Sequence, residues 1–109
     1  MTTRMKHTDV FSSIRNVAMK LKPENGKIIL FGSQARGDAH ENSDWDILVL
    51  LDKDKIEVID HDKFTYPFWE LGWEINAMIH PIVYTSKEWS TLSHTPFRDN
   101  VELYGIVLC

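Results

Sequence analysis

The sequence predicts a small α/β (α+β) domain, with helices packed on a mixed β-sheet, and three observations carry that expectation. Lys27 to Phe31 (KIILF) and Asp44 to Leu51 (DWDILVLL) are apolar runs too short for helices, with apolar residues on both faces, as in strands covered from both sides. Residues 8–22 instead repeat their apolar positions at helical spacing. A chain of 109 residues, 43% hydrophobic with four Trp and five Phe, can bury a core, and by size it forms one domain, residues 1–109.

Taken in order, Thr8 or Asp9 can cap a first helix, whose Val10, Phe11, Ile14, Val17, Ala18 and Leu21 share a face. Pro23 stops it, and Glu24-Asn25-Gly26 turns the chain into the strand Lys27–Phe31. Ser33 to Gly37 forms a short helix or tight turn, and His40-Glu41-Asn42-Ser43 a polar loop. Asp44–Leu51 is the second strand. His61 to Leu71 suggests a helix that Pro67 must kink or interrupt. After Gly72, Trp73 to Tyr84 reads as a third strand in which Glu74, Asn76, Met78 and His80 share a face, with Pro81 marking a bulge or an edge position. Ser86 caps a helix over residues 87–92. Pro96 opens another through Leu103 that Gly105 ends, and Ile106–Leu108 is a strand-like tail.

Composition narrows the function classes. Twelve basic against sixteen acidic residues give a net charge of −4, which argues against the broad phosphate neutralisation of extended nucleic-acid binding. It still admits a single nucleotide, since a bound metal supplies local positive charge. No apolar run reaches the ~20 residues of a membrane span, and the N-terminal residues lack the apolar segment of a signal peptide. Cys109 is the only cysteine, so no intramolecular disulfide forms. The expected location is the cytoplasm.

The chemistry concentrates between Gly32 and Asp46. Gly32, directly after a strand, lets a phosphate approach the backbone, and Ser33 adds a hydroxyl and an N–H donor. The spacing is not that of a P-loop, because Asp38 stands where its lysine is required. Arg36, one helical turn after Ser33, can hold a phosphate or else pair with Asp38, Glu41 or Asp44. Asp44 and Asp46 open the second strand two residues apart. They therefore point to one side, roughly 6–7 Å apart, while Trp45 faces the other. Such a pair calls for positive charge between the acids, and a hard divalent cation with oxygen ligands answers it. The alternative is a solvated strand end paired with Arg36 or lysines. Glu74, as the first acid of the third strand, is the candidate third carboxylate of a two-metal site. The five histidines show no metal spacing, and His80 alone could stand near the site.

Gly32-Ser33-Gln34-Ala35-Arg36-Gly37, followed after a short spacer by Ser43-Asp44-Trp45-Asp46-Ile47, resembles the signature of the minimal nucleotidyltransferases of the DNA polymerase β-like superfamily. The resemblance implies the nucleotidyltransferase fold and assigns roles by position. Gly32, Ser33, Arg36 and Ser43 would bind the nucleotide, and Asp44 and Asp46 would hold Mg²⁺. Glu74 would take the place of the third acid, where the family more often has aspartate. It implies transfer of a nucleoside monophosphate from an NTP, ATP foremost, to a hydroxyl of a protein partner. That partner would be a HEPN-domain protein in a toxin–antitoxin pair, or a second copy of the chain. Two other readings stand beside this one: a catalytically silent antitoxin-like binding module of the same fold, and a nucleotidyltransferase acting on an aminoglycoside-like small molecule.

Overall fold

In the computed structural model, residues 6–40 and 43–109 are described. Residues 1–5, and Glu41 and Asn42 of the expected polar loop, lie outside them, as does Glu41 as a partner for Arg36. The element order is α1 (His7–Leu21), β1 (Lys27–Phe31), α2 (Ser33–Arg36), β2 (Trp45–Leu51), α3 (Val58–Asp60), a π-helical stretch (His61–Thr65), α4 (Tyr66–Ile75), β3 (Ile79–Thr85), α5 (Ser86–Ser90), α6 (Pro96–Tyr104) and β4 (Ile106–Val107). The four strands lie in the order β3-β2-β1-β4. β1 runs antiparallel to β2 and β4, while β2 and β3 are parallel, so the sheet is mixed as expected.

Both faces of the two inner strands are covered, which is why they read as unbroken apolar runs. Ile28 and Leu30 of β1, with Trp45, Ile47, Val49 and Leu51 of β2, meet Val10, Ile14 and Ala18 of α1 and Phe64 and Phe68 from the crossover. Ile29, Leu48 and Leu50 face the other way, toward Trp89 of α5 and Val101 of α6. Each Val, Leu, Ile and Phe among these contributes about 1.5–3 kcal/mol on full burial. The α1 stripe is the one its periodicity predicts. The helix, however, starts at His7 with Lys6 at its N-cap and no side-chain cap, so Thr8 and Asp9 lie inside it.

The crossover from β2 to β3 departs most from the sequence reading. Pro67 sits in the first turn of α4, directly after helical turns. The chain before it widens into π-helical turns, and there the Thr65 hydroxyl donates to the His61 carbonyl at 2.8 Å. The helix then runs through Gly72 to Ile75, so Trp73–Ile75 are helical and the strand begins only at Ile79. Asn76 in the left-handed region ends it, with its N–H bonded back to the Gly72 carbonyl. Gly72 is required inside the helix because a Cβ there would lie 2.7 Å from the Ala77 carbonyl oxygen. β3 is an edge strand, and Pro81 falls within it as expected of an edge position. The cap of α5 is Thr85, not Ser86: its hydroxyl accepts from the Glu88 N–H, and the Glu88 carboxylate accepts from the Thr85 N–H. Thr95 caps α6 ahead of Pro96.

Candidate active site

The candidate site lies where β1 and β2 leave the core at the same end of the sheet. Burial falls along one face of β2, from Leu50 and Leu48 in the core to half-buried Asp46 and exposed Asp44. The apolar cover of this face thus gives out where the two carboxylates begin. Trp45 points the opposite way into the core, where the His7 ring packs on it at 4.8 Å. Phe31 pairs with Asp46 across the strands, which sets Gly32 beside the Asp46 carboxylate. The fit is close: a Cβ on Gly32 would lie 2.3 Å from Asp46 Oδ2, and Gly32 has φ 78° and ψ −162°, a conformation open to glycine. Glycine is needed at this position for two separate reasons.

Ser33 begins α2 directly after Gly32, and the Gly32 carbonyl accepts from the Ala35 and Arg36 N–H groups. Gly37 closes the turn in the left-handed region, where glycine adds no strain. Arg36 is turned to Asp38, with Nε 3.4 Å from Oδ2, which is one of the pairings open to it in the sequence. Ser43 caps the approach to β2 by accepting the His40 N–H on its hydroxyl at 2.7 Å.

Burial pushes the Asp46 carboxyl above its ordinary value, and the neighbouring Asp44 charge pushes it further. The His80 and Arg36 charges offset part of this. Asp46 is thus a carboxylate whose charged form the fold disfavours, only partly offset by the charges of His80 and Arg36.

Glu74 does not join the pair. It lies exposed near the C-terminal end of α4, not at the start of a strand, because the helix continues past Gly72. Of the four residues expected to share a strand face, only His80 lies in β3, directly opposite Asp46 in the parallel register. Its Nε2 is 3.6 Å from Asp44 Oδ2, and its ring packs against Trp69 at 5.5 Å. Among the described residues no three His, Cys, Asp or Glu side chains form a ready-made metal cage. A Mg²⁺ ion that keeps several waters and shares its ligands with substrate phosphates needs only one or two carboxylates, so Asp44 and Asp46 fit that demand.

Gln34 is a residue of this region to which the sequence reading assigned no role. Buried in α2, it donates through Nε2 to the Ser43 carbonyl at 3.1 Å, and its Oε1 lies 2.8 Å from His7 Nε2. It ties the glycine turn to the residue before Asp44 and to α1. The one available hint was an amide inside a short polar helix.

The profile of the nucleotidyltransferase domain family matches residues 12–106. The chain belongs to that family. Over 92 residues it is 34% identical to a Methanocaldococcus jannaschii protein named "Putative protein adenylyltransferase MJ0141", covering 84% of this chain and 87% of that one. A second protein of that organism, "Putative protein adenylyltransferase MJ0604", is 65% identical over 53 residues, about half of each chain. Among solved structures, a toxin–antitoxin complex with AMP-PNP aligns over 87% of this chain and 72% of its own, at TM-score 0.56 and 24% identity. The toxin–antitoxin MntA-HpeT, in a mutant form, aligns over 96% and 73%, at TM-score 0.57 and 20% identity. At these identities the structural likeness shows the shared nucleotidyltransferase fold. Taken with the family match, it makes this chain a nucleotidyltransferase, as its glycine-serine turn and paired aspartates lead one to expect.

Proposed function

We propose that this nucleotidyltransferase moves AMP from ATP to a hydroxyl on a partner protein, within a toxin–antitoxin type pair whose other member is a HEPN-domain protein. The observation that carries the proposal is the juxtaposition of Asp44 and Asp46 with the Gly32-Ser33 turn at one open end of the sheet. Asp44 and Asp46 would hold Mg²⁺, which supplies charge neutralisation at the α-phosphate and the leaving pyrophosphate. Gly32 and Ser33 give the phosphates close access to backbone and hydroxyl donors, and Ser43 and Gln34 keep that turn in register with Asp44. Arg36 completes the phosphate contacts by exchanging its exposed Asp38 partner for a phosphate oxygen, which forms a stronger bidentate pair. The acceptor oxygen bonds to the α-phosphorus, the bond to the bridging oxygen breaks, pyrophosphate leaves, and the acceptor's proton passes to solvent. The chain mostly positions reactants.

The names of the M. jannaschii relatives speak of protein adenylyl transfer, and those of two fold neighbours of toxin–antitoxin pairs, one with an ATP analogue. The surface supports a protein acceptor too. Val58 (80% exposed), Ile59, Tyr66, Trp69, Trp73 (67% exposed) and Met78 are large apolar side chains left open on the crossover, and Tyr66 and Trp73 meet edge to face. Trp69 links that area to the site through His80. Incubation with α-labelled ATP, Mg²⁺ and a HEPN-domain partner tests the reading. Label is expected on the partner with the wild-type chain and absent with the Asp44→Ala/Asp46→Ala double variant. Equal labelling by both would overturn it.

A further inference from the structure

Helix α4 is apolar on two opposite faces. Phe68, Leu71 and Ile75 recur at i, i+3 and i+7 and pack into the core, with Gly72 buried beside them. Tyr66, Trp69 and Trp73 repeat that spacing on the far side, and all three are exposed. Tyr66 meets Trp73 edge to face with ring centroids 5.9 Å apart, so the stripe is continuous over two turns. A helix apolar all round belongs in an interior, and nothing among the described residues covers the outer face of α4.

Charge indicates what would cover it. Residues 52–78, the whole connection between β2 and β3, hold seven acidic and three basic residues, while the rest of the chain holds nine of each. The net charge of −4 therefore resides in the crossover. On α4 itself, Glu70 and Glu74 are exposed one turn apart along one flank of the aromatic stripe, and the helix carries no basic residue.

We propose that the Tyr66, Trp69 and Trp73 stripe, flanked by Glu70 and Glu74, is the docking surface for the partner protein, which meets it with apolar side chains bordered by lysine or arginine. The inference rests on the reading of this chain as an enzyme that modifies a partner protein. A two-fold contact between copies would bring the same acids face to face, and anionic lipid or nucleic acid would meet the same repulsion. Tryptophan and tyrosine are favoured anchors of protein interfaces, and charges at the rim set partner choice. The stripe also adjoins the site. Trp69 packs on the His80 ring at 5.5 Å, and His80 Nε2 lies 3.6 Å from Asp44 Oδ2. A partner seated on the stripe therefore reaches the carboxylate pair with its neighbouring segment, where the acceptor hydroxyl is needed.

The test uses the full chain and a purified HEPN-domain partner. Its variants are Tyr66→Ala/Trp73→Ala and Glu70→Lys/Glu74→Lys, with Glu24→Lys/Asp99→Lys as an equal charge change away from α4. Circular dichroism checks that each folds, and titration calorimetry at low and high salt gives the partner affinity. Tyr66→Ala/Trp73→Ala is expected to weaken partner binding roughly tenfold or more. Wild-type binding should weaken as salt rises, and Glu70→Lys/Glu74→Lys should lower affinity roughly tenfold and flatten that dependence. The control should change affinity less than about threefold. In label transfer, both α4 variants should raise KM for the partner and leave kcat within about twofold. Wild-type partner affinity in both α4 variants, with labelling intact, would overturn the docking surface and leave the proposed function standing. Loss of binding in Tyr66→Ala/Trp73→Ala alone, without any effect of salt or of Glu70→Lys/Glu74→Lys, would overturn the basic character assigned to the partner. Partner binding that needs the stripe, with no label transferred by wild type, would keep the surface and overturn the proposed transfer. Sedimentation showing a dimer of this chain held by the stripe would overturn the surface, and no partner binding by wild type would overturn both.

Discussion

Asp46 is half-buried and Asp60 buried, and the chain treats the two carboxylates in opposite ways. Asp60 is fully provided for. Its Oδ2 accepts from Lys53 Nζ at 2.8 Å and from the Glu57 N–H at 2.8 Å, closing a capping box at the start of α3. The Lys53 hydrogen bond is the main reason that its carboxyl lies below the ordinary value. Asp46 has a like charge two residues away, a glycine pressed against it and a raised carboxyl. Asp60 is satisfied by the fold, whereas Asp46, the acid proposed to hold a cation, is not, and the fold bears that cost.

The largest effect expected from this contrast is on activity. Asp46→Asn should lower nucleotidyl transfer by about 10³-fold, since losing the proposed metal contact would remove several kcal/mol of transition-state stabilisation. Asp60→Asn should leave transfer within twofold of wild type. Label-transfer rates at saturating ATP read both, and a large loss in Asp60→Asn would mean that the crossover, and not only the strand end, shapes the site.

Gly32→Ala comes next and strikes the fold directly. The added methyl meets Asp46 at a distance no Cβ tolerates, and a positive φ compounds it, for a cost of about 2–3 kcal/mol. In a domain of this size that corresponds to a fall in Tm of roughly 10 °C or more. Gly37→Ala, with open space around the position, should fall by the smaller cost of positive φ alone. Comparable losses in the two variants would show that backbone conformation, and not the contact with Asp46, makes Gly32 necessary.

The same contrast explains how much was legible in the sequence. The glycine-serine turn and the paired acids are local, because a strand's period of two and a glycine after it need no knowledge of the fold. Glu74 lies elsewhere than the sequence suggests because Gly72 reads as a break, whereas its absent side chain leaves room for the Ala77 carbonyl where Asn76 turns the chain out of the helix. The helix stop was Asn76, which tolerates the left-handed region better than most residues. His80 could be associated with Asp46 only through the parallel pairing of β2 and β3, and Gln34 acts through His7, 27 residues away. The parts of the site carried by long-range register were those the linear chain could not display.

The smallest effect is on stability against pH, and there the two acids should differ in sign. Asp46→Asn removes a charge the fold disfavours, so at neutral pH it should raise Tm by a few degrees, since half-exposure and screening hold the gain below about 1 kcal/mol. A raised carboxyl means that the folded state holds its proton more tightly than the unfolded state does. Wild-type stability therefore falls as pH rises from 3.8 through the folded value of Asp46, and the advantage of Asp46→Asn grows across that window and is absent below it. Asp60 is lowered, so its contribution is present in full above 3.8 and is lost as pH falls from there through its folded value. The deficit of Asp60→Asn should thus persist through the window in which the gain of Asp46→Asn disappears, and fade only at lower pH. Chemical denaturation of both variants and wild type from pH 7 to pH 3 would show it. Deficits of the same sign in both variants would mean that Asp46 is as well satisfied as Asp60, and the idea of an acid held ready for a cation would fail with it.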